Sequence, residues 1–382
     1  MAKKLDLAPG GPEDEDGVPA FLAKAMSPPH SKSVSNALEL LVDLGAMLPE
    51  TNALTDLGIC LSVISLEPRV AKMVIWSYIL GCARTISTMA VAMSYKSPFV
   101  LPPPNRRKDA EKAQLDLSRG SESDQFTVLN AVQKRDQLTK QQGNGAYYDF
   151  CRRSFLSTST MQMISDLRKN LTRELNGLGF VGPASLGQYH NRHEKPSAAA
   201  PLWQAAVAAG MFPNLASRRQ GDVNFSTMSN QKAKIHISSV NAVKGQPLSQ
   251  KCRVPSHQVE YVCFGEMVRG KNFFTMSQTT HLESPLPLLL LCGTSLNVRP
   301  APTGEGEVSD TSILSVDDWI TFQCPADVAA GVVILRKRLN SAFWAFVANP
   351  SKGLSRLSDA ERGAVEALGP IFTSAHGASD VR

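Results

Sequence analysis

Hydrophobic residues recur at helical spacing through the first half of the chain. In "SVSNALELLVDLGAM" they fall on one face of a helix, and Gly45 stands where a C-terminal cap belongs. "LPETNALTDLG" then has the pattern of a short hairpin-like wing, with Thr55 as the N-cap of the next helix. Helix, wing and helix in this order predict a winged-helix domain over residues 21–66, after a polar lead-in at residues 1–20.

The longest apolar stretch is "LGICLSVISLEPRVAKMVIWSYILGC", which begins at Leu57. Pro68 suits the first turn of a helix. The helix that follows is apolar almost all round, which is typical of a helix buried at the centre of a bundle. Its longest uncharged run, Met73 to Ala83, is shorter than the about 20 residues that a spanning helix needs. We therefore predict no membrane segment.

A later segment, "STSTMQMISDLRKNLTRELNGLGF", is the clearest amphipathic helix, and we place it in a helical domain over residues 67–182. Arg168, Lys169 and Arg173 lie away from its apolar stripe. These cations could contact phosphates, or could form the solvated face of the helix. The stripe consists of Met161, Ile164, Leu167, Leu171, Leu175 and Leu178.

Beyond about residue 220 the pattern changes to that of strands. "KAKIHISSVNA" alternates strictly, so that Lys234, His236 and Ser238 face one way while Ile235 and Ile237 face the other. The polar face could bind a single nucleic-acid strand, or could be a solvated sheet face. The aromatic side chains of "CFGEMV" and "NFFTM" could be stacking platforms or core residues. They belong to Phe264, Phe273 and Phe274.

Further strands complete a small domain. "VEYVCFGEMV" and "NFFTMSQTT" form a predicted pair joined by the turn "RGK", and "LPLLLLCG" and "SVDDWITFQCP" follow as strands. "GVVILRKRLNSAFWAF" predicts a terminal helix. Five or so short strands with a flanking helix suit a closed OB-like barrel. The predicted fold class is α+β: a winged helix and helical bundle, then an OB-like β-barrel domain (residues 183–345) with a C-terminal helix, and a C-terminal tail (residues 346–382).

Composition and charge narrow the class of protein. Of the 382 residues, 43% are hydrophobic and 19% are charged, as in an ordinary globular protein. The net charge of +6 mildly favours a polyanionic partner. The seven cysteines form no C-x-x-C pair, and "MAKKLDLAPGG" has no apolar core of a secretory signal. Both features predict an intracellular protein with buried, reduced thiols, without separating cytoplasm, nucleus and mitochondrion.

No enzymatic site is predicted from the residues. No G-x-x-x-x-G-K-[ST] motif occurs, so a phosphate-binding P-loop is missing from the sequence. Asp317 and Asp318 are adjacent on a predicted strand and point to opposite faces, which indicates a structural or capping role. His190 and His193 lie in a loop-like segment without a third ligand nearby, so we predict no metal site.

Several spaced motifs, taken in order, resemble the C-terminal accessory region of DEAH/RHA-type ATP-dependent RNA helicases. "ALTDLGICLSVISLEPRVAKMVIWSYILGC" resembles the family's junction between winged helix and helical domain. "KSPFVLPPPNRRKDAEKAQLDL", "SDQFTVLNAV" and "FCRRSFLSTSTMQMISDLRKNL" are similar to its helical, ratchet-like domain. "AAVAAGMFPNLA", "KIHISSVN" and "SVDDWITFQCP" are similar to its OB-like domain. The resemblance covers roughly residues 20–345.

The resemblance implies a module without an ATPase core. In the family both RecA-like motor domains precede this region, and Met1 stands where the second motor domain would end. No cofactor is therefore expected in this chain, because ATP and magnesium belong to the motor domains. In "KIHISSVN", Ile237 replaces the family's usual proline, which predicts a longer strand.

The resemblance also implies partners and contact residues. In the family these domains close a channel over single-stranded RNA, cap the motor domains and dock activator proteins of the glycine-rich patch type. The residues that it assigns to RNA contact are Arg168, Lys234, His236, Ser238 and Asn241. Two other hypotheses stay open: a stand-alone, helicase-derived RNA-binding or scaffold protein of a ribonucleoprotein complex, and a protein-interaction module.

Overall fold

The computed structural model describes residues 2–11, 14, 17–180, 200–219, 221–242, 259–271, 273–302 and 310–377. Eight helices make up the first half of this described part. They are α1 (Val18–Ala23), α2 (Ser31–Asp43), α3 (Asp56–Val63), α4 (Pro68–Ile79), α5 (Ala83–Met93), α6 (Arg107–Ser118), α7 (Asp124–Arg153) and α8 (Thr158–Gly177).

The connection between α2 and α3 is a short hairpin-like turn. Met47 and Leu54 form an isolated antiparallel bridge, and the Thr55 hydroxyl accepts a hydrogen bond from the Gly58 backbone N–H at 3.1 Å. Thr55 is therefore the N-cap of α3, as its position in the sequence predicts. The assignment of this segment to a winged helix stays a prediction.

Helix α4 is the centre of the helical domain. Nine of its twelve residues are buried, and Pro68 occupies its first turn, where no backbone N–H is needed. Trp76 stacks on Phe343 with ring centroids 4.5 Å apart. The apolar stretch that begins at Leu57 is therefore two helices, α3 and α4, packed inside the protein. None of the described helices has the length and apolarity to cross a membrane.

The second half holds a closed five-stranded barrel, as predicted. Helix α9 (Ala200–Met211) leads into it, and the strand order around it is β1-β2-β3-β5-β4. Strands β3 and β5 run parallel and the other pairs are antiparallel. The strands are β1 (Leu215–Arg219), β2 (Phe225–Thr227), β3 (Lys232–Ile235), β4 (Val259–Arg269) and β5 (Phe274–Leu282). The buried residues inside are Ala216, Phe225, Ala233, Val262, Phe264 and Met276.

Two predictions for the segments after the barrel are wrong. "LPLLLLCG" is not a strand but a short helix, α10 (Leu286–Leu291), because Pro285 and Pro287 fix helical backbone angles at its start. "SVDDWITFQCP" does form strands, but these lie in a separate three-stranded sheet. That sheet contains β6 (Leu296–Pro300), β7 (Thr311–Val316) and β8 (Ile320–Pro325).

Two helices close the described chain. The predicted terminal helix is present as α11 (Ala326–Ala348), and the segment predicted as a tail contains α12 (Asp359–Gly377). The predicted capping role of the Asp317 carboxylate agrees with its contacts, since it accepts hydrogen bonds from the backbone N–H groups of Thr294 and Ser295 at 2.9 and 2.7 Å. Asp318 accepts one from Asn297 Nδ2 at 2.8 Å.

The longer strand expected from Ile237 is also absent. Strand β3 ends at Ile235, and Ile237 lies in the following turn with 73% of its surface exposed. The Val240 backbone N–H donates to the Asp124 carboxylate at 2.9 Å, so the chain must leave the sheet before this point. A contact with the helical domain, rather than local propensity, ends the strand.

The six described cysteines have free thiols, five of them buried. Burial raises the pKa of Cys60 to about 11 and that of Cys292 to about 12. Unfolded thiols ionise near their ordinary pKa, whereas the folded protein holds these two protonated. The stability that they contribute is thus fully present below about pH 8.5 and is lost as pH rises through the folded pKa values.

We therefore expect the free energy of unfolding to decrease above about pH 9, by roughly 1.4 kcal/mol per pH unit for each such thiol. Urea unfolding between about pH 8 and about pH 10.5 measures this slope. Cys292→Ala should flatten it, and Cys60→Ala should flatten it further. An unchanged slope in the double variant would show that other groups cause the alkaline loss.

Candidate nucleic-acid interface

The helical domain holds the barrel at the start of α7. The Asp124 carboxylate accepts hydrogen bonds from the backbone N–H groups of Val240 and Thr279 at 2.9 and 2.8 Å. Burial raises the pKa of this carboxyl above its ordinary value, against the lowering effect of these hydrogen bonds. Next to it, the hydroxyls of Ser123 and Thr280 lie 2.7 Å apart. These contacts fix the turn after β3 against the helices.

Asn241 belongs to this junction and not to the surface. It is 4% exposed, and its Nδ2 donates to the Glu122 backbone oxygen at 2.8 Å and to Thr279 Oγ1 at 3.0 Å. Its amide is thus committed to holding the turn to the loop before α7. Of the five residues assigned to RNA contact, it is the one that the structure does not offer to a ligand.

His236 and Ser238 are exposed in the turn that Asn241 anchors. The His236 ring Nδ1 accepts the Ser238 backbone N–H at 3.2 Å and lies 2.7 Å from the Ser238 hydroxyl. From the helical side, Gln114 Nε2 donates to the Ser238 carbonyl oxygen at 3.1 Å. The imidazole and the hydroxyl are therefore held together in one orientation, with Nε2 of the ring directed away from the pair.

Lys234 is the third of the four residues of β3, two residues before His236, on the outer face of the barrel. It is paired with Thr275, which is paired with Val268, so these three side chains lie side by side. The Lys234 Nζ is 4.5 Å from the centroid of the Phe273 ring, which is 42% exposed. This is a cation placed over an accessible aromatic face.

The three phenylalanines have different roles. Phe264 is 4% exposed inside the barrel, and Phe274 packs against the same interior cluster. Phe273 alone of these three presents its ring to solvent, because it precedes the first residue of β5. The aromatic candidates of the sequence thus reduce to one exposed ring.

Arg168 lies on α8, apart from the barrel residues. One of its Nη atoms is 2.7 Å from Asp136 of α7, and both side chains are about a third exposed. Asp136 is 12 residues beyond Asp124, which corresponds to about 18 Å along the α7 axis. The structure therefore brings Lys234, His236 and Ser238 together on one barrel strand and its turn, with Arg168 about three turns of α7 away.

Helix α6 adds cations that were not among the predicted contacts. Arg107, Lys108 and Lys112 are exposed on it. Arg107 is seven residues before Gln114 and thus on the same helix face, about 10 Å from it along the axis. Since Gln114 contacts the Ser238 carbonyl, Arg107 is the one of these three cations that lies on the helix face bordering the turn after β3. The seven-residue spacing was visible in the sequence, but the contact of α6 with the turn was not.

The structure shows no metal-binding cluster in the part of the chain that it describes. His190 and His193, the histidine pair considered for a metal, lie outside the described residues. The candidate site around β3 offers positive charge, hydrogen-bonding groups and the exposed Phe273 ring.

Comparison with known proteins finds a family match for the helical domain and another for the barrel domain. Residues 67–159 match the "Helicase associated domain (HA2), ratchet-like" family, and residues 203–295 match the "Oligonucleotide/oligosaccharide-binding (OB)-fold" family. The first match covers α4 to the start of α8, and the second covers most of α9, the barrel and α10.

Several relatives that align with the chain are named as helicases. The chain is 34% identical to the DExH-box ATP-dependent RNA helicase DExH1 of Arabidopsis thaliana over 75% of its own length and 27% of the relative. It is 28% identical to the mouse ATP-dependent DNA/RNA helicase DHX36 over 87% of its length and 32% of the relative. For the mouse ATP-dependent RNA helicase DHX29 the identity is 28%, over 92% of the chain and 24% of the relative.

The chain spans 24–32% of the length of these relatives. Its two matched domains follow one another in the order that the sequence motifs indicate, and its fold contains the barrel and helical domain that they imply. The chain therefore corresponds to the C-terminal accessory region, with its helicase-associated and OB-fold domains, of DExH/DEAH-type RNA helicases.

Proposed function

We propose that this region binds single-stranded RNA as an accessory module of a DExH/DEAH-type helicase. The observation that carries the proposal is the row of accessible groups on and after β3: Lys234 over Phe273 at one end, and the paired His236 and Ser238 at the other. Lys234 and His236 are two residues apart where β3 ends, about 7 Å along the chain, and Ser238 follows in the turn, so these groups can contact neighbouring nucleotides of one strand.

Each group has a role in this proposal. The Lys234 ammonium neutralises a phosphate, and the Phe273 ring stacks on a base. His236 Nε2 donates a hydrogen bond to a phosphate or ribose oxygen, and the Ser238 hydroxyl oxygen accepts one from a ribose hydroxyl. Arg168 of α8 and Arg107 of α6 contact the strand further along, and Asn241 acts indirectly by holding the turn. Binding needs no ATP, because no P-loop motif occurs in the sequence.

The partners follow as further proposals. Motor domains of the helicase, or an activator of the glycine-rich patch type, would dock on the segment around α2 and α3, where Leu48 and Ile59 are exposed apolar residues. The free thiols of the described cysteines agree with an intracellular location.

Two substitutions separate charge from stacking. Lys234→Gln should weaken binding of an unstructured RNA oligonucleotide. It should also reduce the slope of log affinity against log salt concentration by roughly 0.7, the change expected for the loss of one phosphate contact. Phe273→Ala should weaken binding about tenfold, through the loss of about 1.4 kcal/mol of stacking, and leave the salt slope unchanged. Fluorescence anisotropy at several salt concentrations, with and without ATP, measures both.

The matched control is Lys352→Gln, which removes an exposed lysine between α11 and α12 and should leave RNA affinity as it is. If Lys234→Gln and Phe273→Ala bind like the parent protein, or if the parent binds no RNA at low salt, RNA recognition by this face is excluded.

A further inference from the structure

An open cavity of about 460 Å³ lies between the start of α4 and one end of the barrel. Asn214, just before β1, and the turn after β2 form part of its wall, so it opens where β1 begins and β2 ends. The turn itself is closed by a hydrogen bond from the Asn230 N–H to the Thr227 carbonyl oxygen at 2.8 Å. Arg69 of α4 lies opposite.

Arg69 lines this cavity and is the one charged side chain among the described residues of its wall. Its Nε is fully buried and has no hydrogen-bond partner among the described residues. Because this atom is shielded from the cavity, the positive charge and the other nitrogens of the Arg69 guanidinium are what would favour an anion there. The planar guanidinium fits the oxygens of a phosphate or carboxylate. No carboxylate side chain is among the described residues that line the cavity, so nothing there would repel an anion.

The remaining lining suits a flat ring and not an anion alone. Met228 and Met267 line the cavity, and methionine sulfur makes favourable contacts with aromatic rings. Thr227, Ser229 and Asn214 add hydroxyl and amide groups that can pair with the edge of a base. A single carboxylate side chain would leave most of this volume unfilled, whereas a nucleoside phosphate combines an anion with a ring.

We propose that this cavity binds one nucleoside phosphate unit, with the phosphate on Arg69 and the base against Met228 and Met267. The unit is either a free nucleotide or one residue of an RNA strand, since both present the same groups. The site is independent of the proposed RNA face, because neither Lys234 nor His236 lines the cavity.

The test uses the full chain with ¹³C-methyl-labelled methionine, whose signals are assigned through Met228→Leu and Met267→Leu. Adenosine monophosphate should shift both methyl signals saturably, and inorganic phosphate or adenosine alone should bind more weakly. Arg69→Gln should weaken the nucleotide about tenfold or more, as for a lost hydrogen bond to a charged group. Arg69→Lys should restore only part of the loss, because it lacks the planar fork.

Two further variants test whether the nucleotide binds in this cavity and whether that binding is independent of the proposed RNA face. Ser229→Trp changes an exposed turn residue at the cavity wall and should block the nucleotide without loss of folding, which urea unfolding checks. Lys234→Gln should leave the methyl shifts unchanged, so failure of the RNA proposal and failure of this one are distinguishable. Methyl signals that ignore mononucleotides, or that respond to an acidic peptide instead, would overturn the assignment.

Two sources of the nucleotide give different results. If the unit belongs to RNA, an oligonucleotide shifts the same methyls and competes with adenosine monophosphate. If the site takes free nucleotide, the oligonucleotide leaves the methyls unchanged while the mononucleotide shifts them. Either result supports the site. An oligonucleotide response that survives Arg69→Gln and Ser229→Trp, with none to the mononucleotide, counts against it.

Discussion

Gly210→Ala should destabilise the protein by about 3 kcal/mol, at the upper end of the range for overpacking a core. Gly210 lies on α9, where an added Cβ would come 2.2 Å from Met73 Cβ and 2.6 Å from Met73 Cα of α4. Side-chain rotation does not relieve contacts with these backbone-fixed atoms, so the two helices would have to separate. Because α9 leads directly into β1, this separation would loosen the barrel from the helical domain.

The matched control is Gly331→Ala on α11. Gly331 is exposed in the helix, and an added Cβ there would meet nothing within 4 Å. Removing a helical glycine should stabilise the protein by roughly 0.5–1 kcal/mol, so the two identical chemical changes should have opposite signs. Urea unfolding of the three proteins measures this. A Gly210→Ala variant as stable as the parent would mean that α4 and α9 are further apart than this structure has them.

Local sequence patterns were sufficient to predict those elements whose structure depends mainly on their own residues. The N-cap at Thr55, the proline at the start of α4 and the strand pair β4–β5 all follow from short-range rules. The number of short strands beside a flanking helix then predicted the barrel. The buried helix α4 was recognisable because apolar residues on every side of a helix leave no face for solvent.

Contacts between distant segments explain the errors. "LPLLLLCG" is a short apolar run, whose periodicity alone does not separate strand from buried helix, and its prolines were the neglected signal. In the candidate site, alternation placed Lys234 and His236 on one face, but it extended the strand through Ile237. Asp124, more than 100 residues away, ends that strand and buries Asn241 beside it.

Arg218→Met should destabilise the protein by about 3–5 kcal/mol, the range for removing one partner of a buried ion pair. Arg218 on β1 and Glu260 on β4 are opposite each other in the barrel register, and they are 6% and 3% exposed. The Arg218 Nε and one Nη lie 2.9 and 2.6 Å from Glu260 Oε2. Without the guanidinium, the Glu260 carboxylate stays buried with the His281 ring as a more distant neighbour, at 3.7 Å.

The expected loss of stability comes from leaving the Glu260 carboxylate buried without its cation, and not from a large net stabilisation by the ion pair itself. A second substitution that removes this carboxylate should therefore restore most of the stability. Arg218→Met combined with Glu260→Leu replaces the pair by apolar side chains, and this exchange is often neutral in stability. We expect the double variant to lie within about 1–2 kcal/mol of the parent in urea unfolding. A double variant as unstable as Arg218→Met would instead assign the loss to packing, including the guanidinium contact with the Phe225 ring at 4.4 Å.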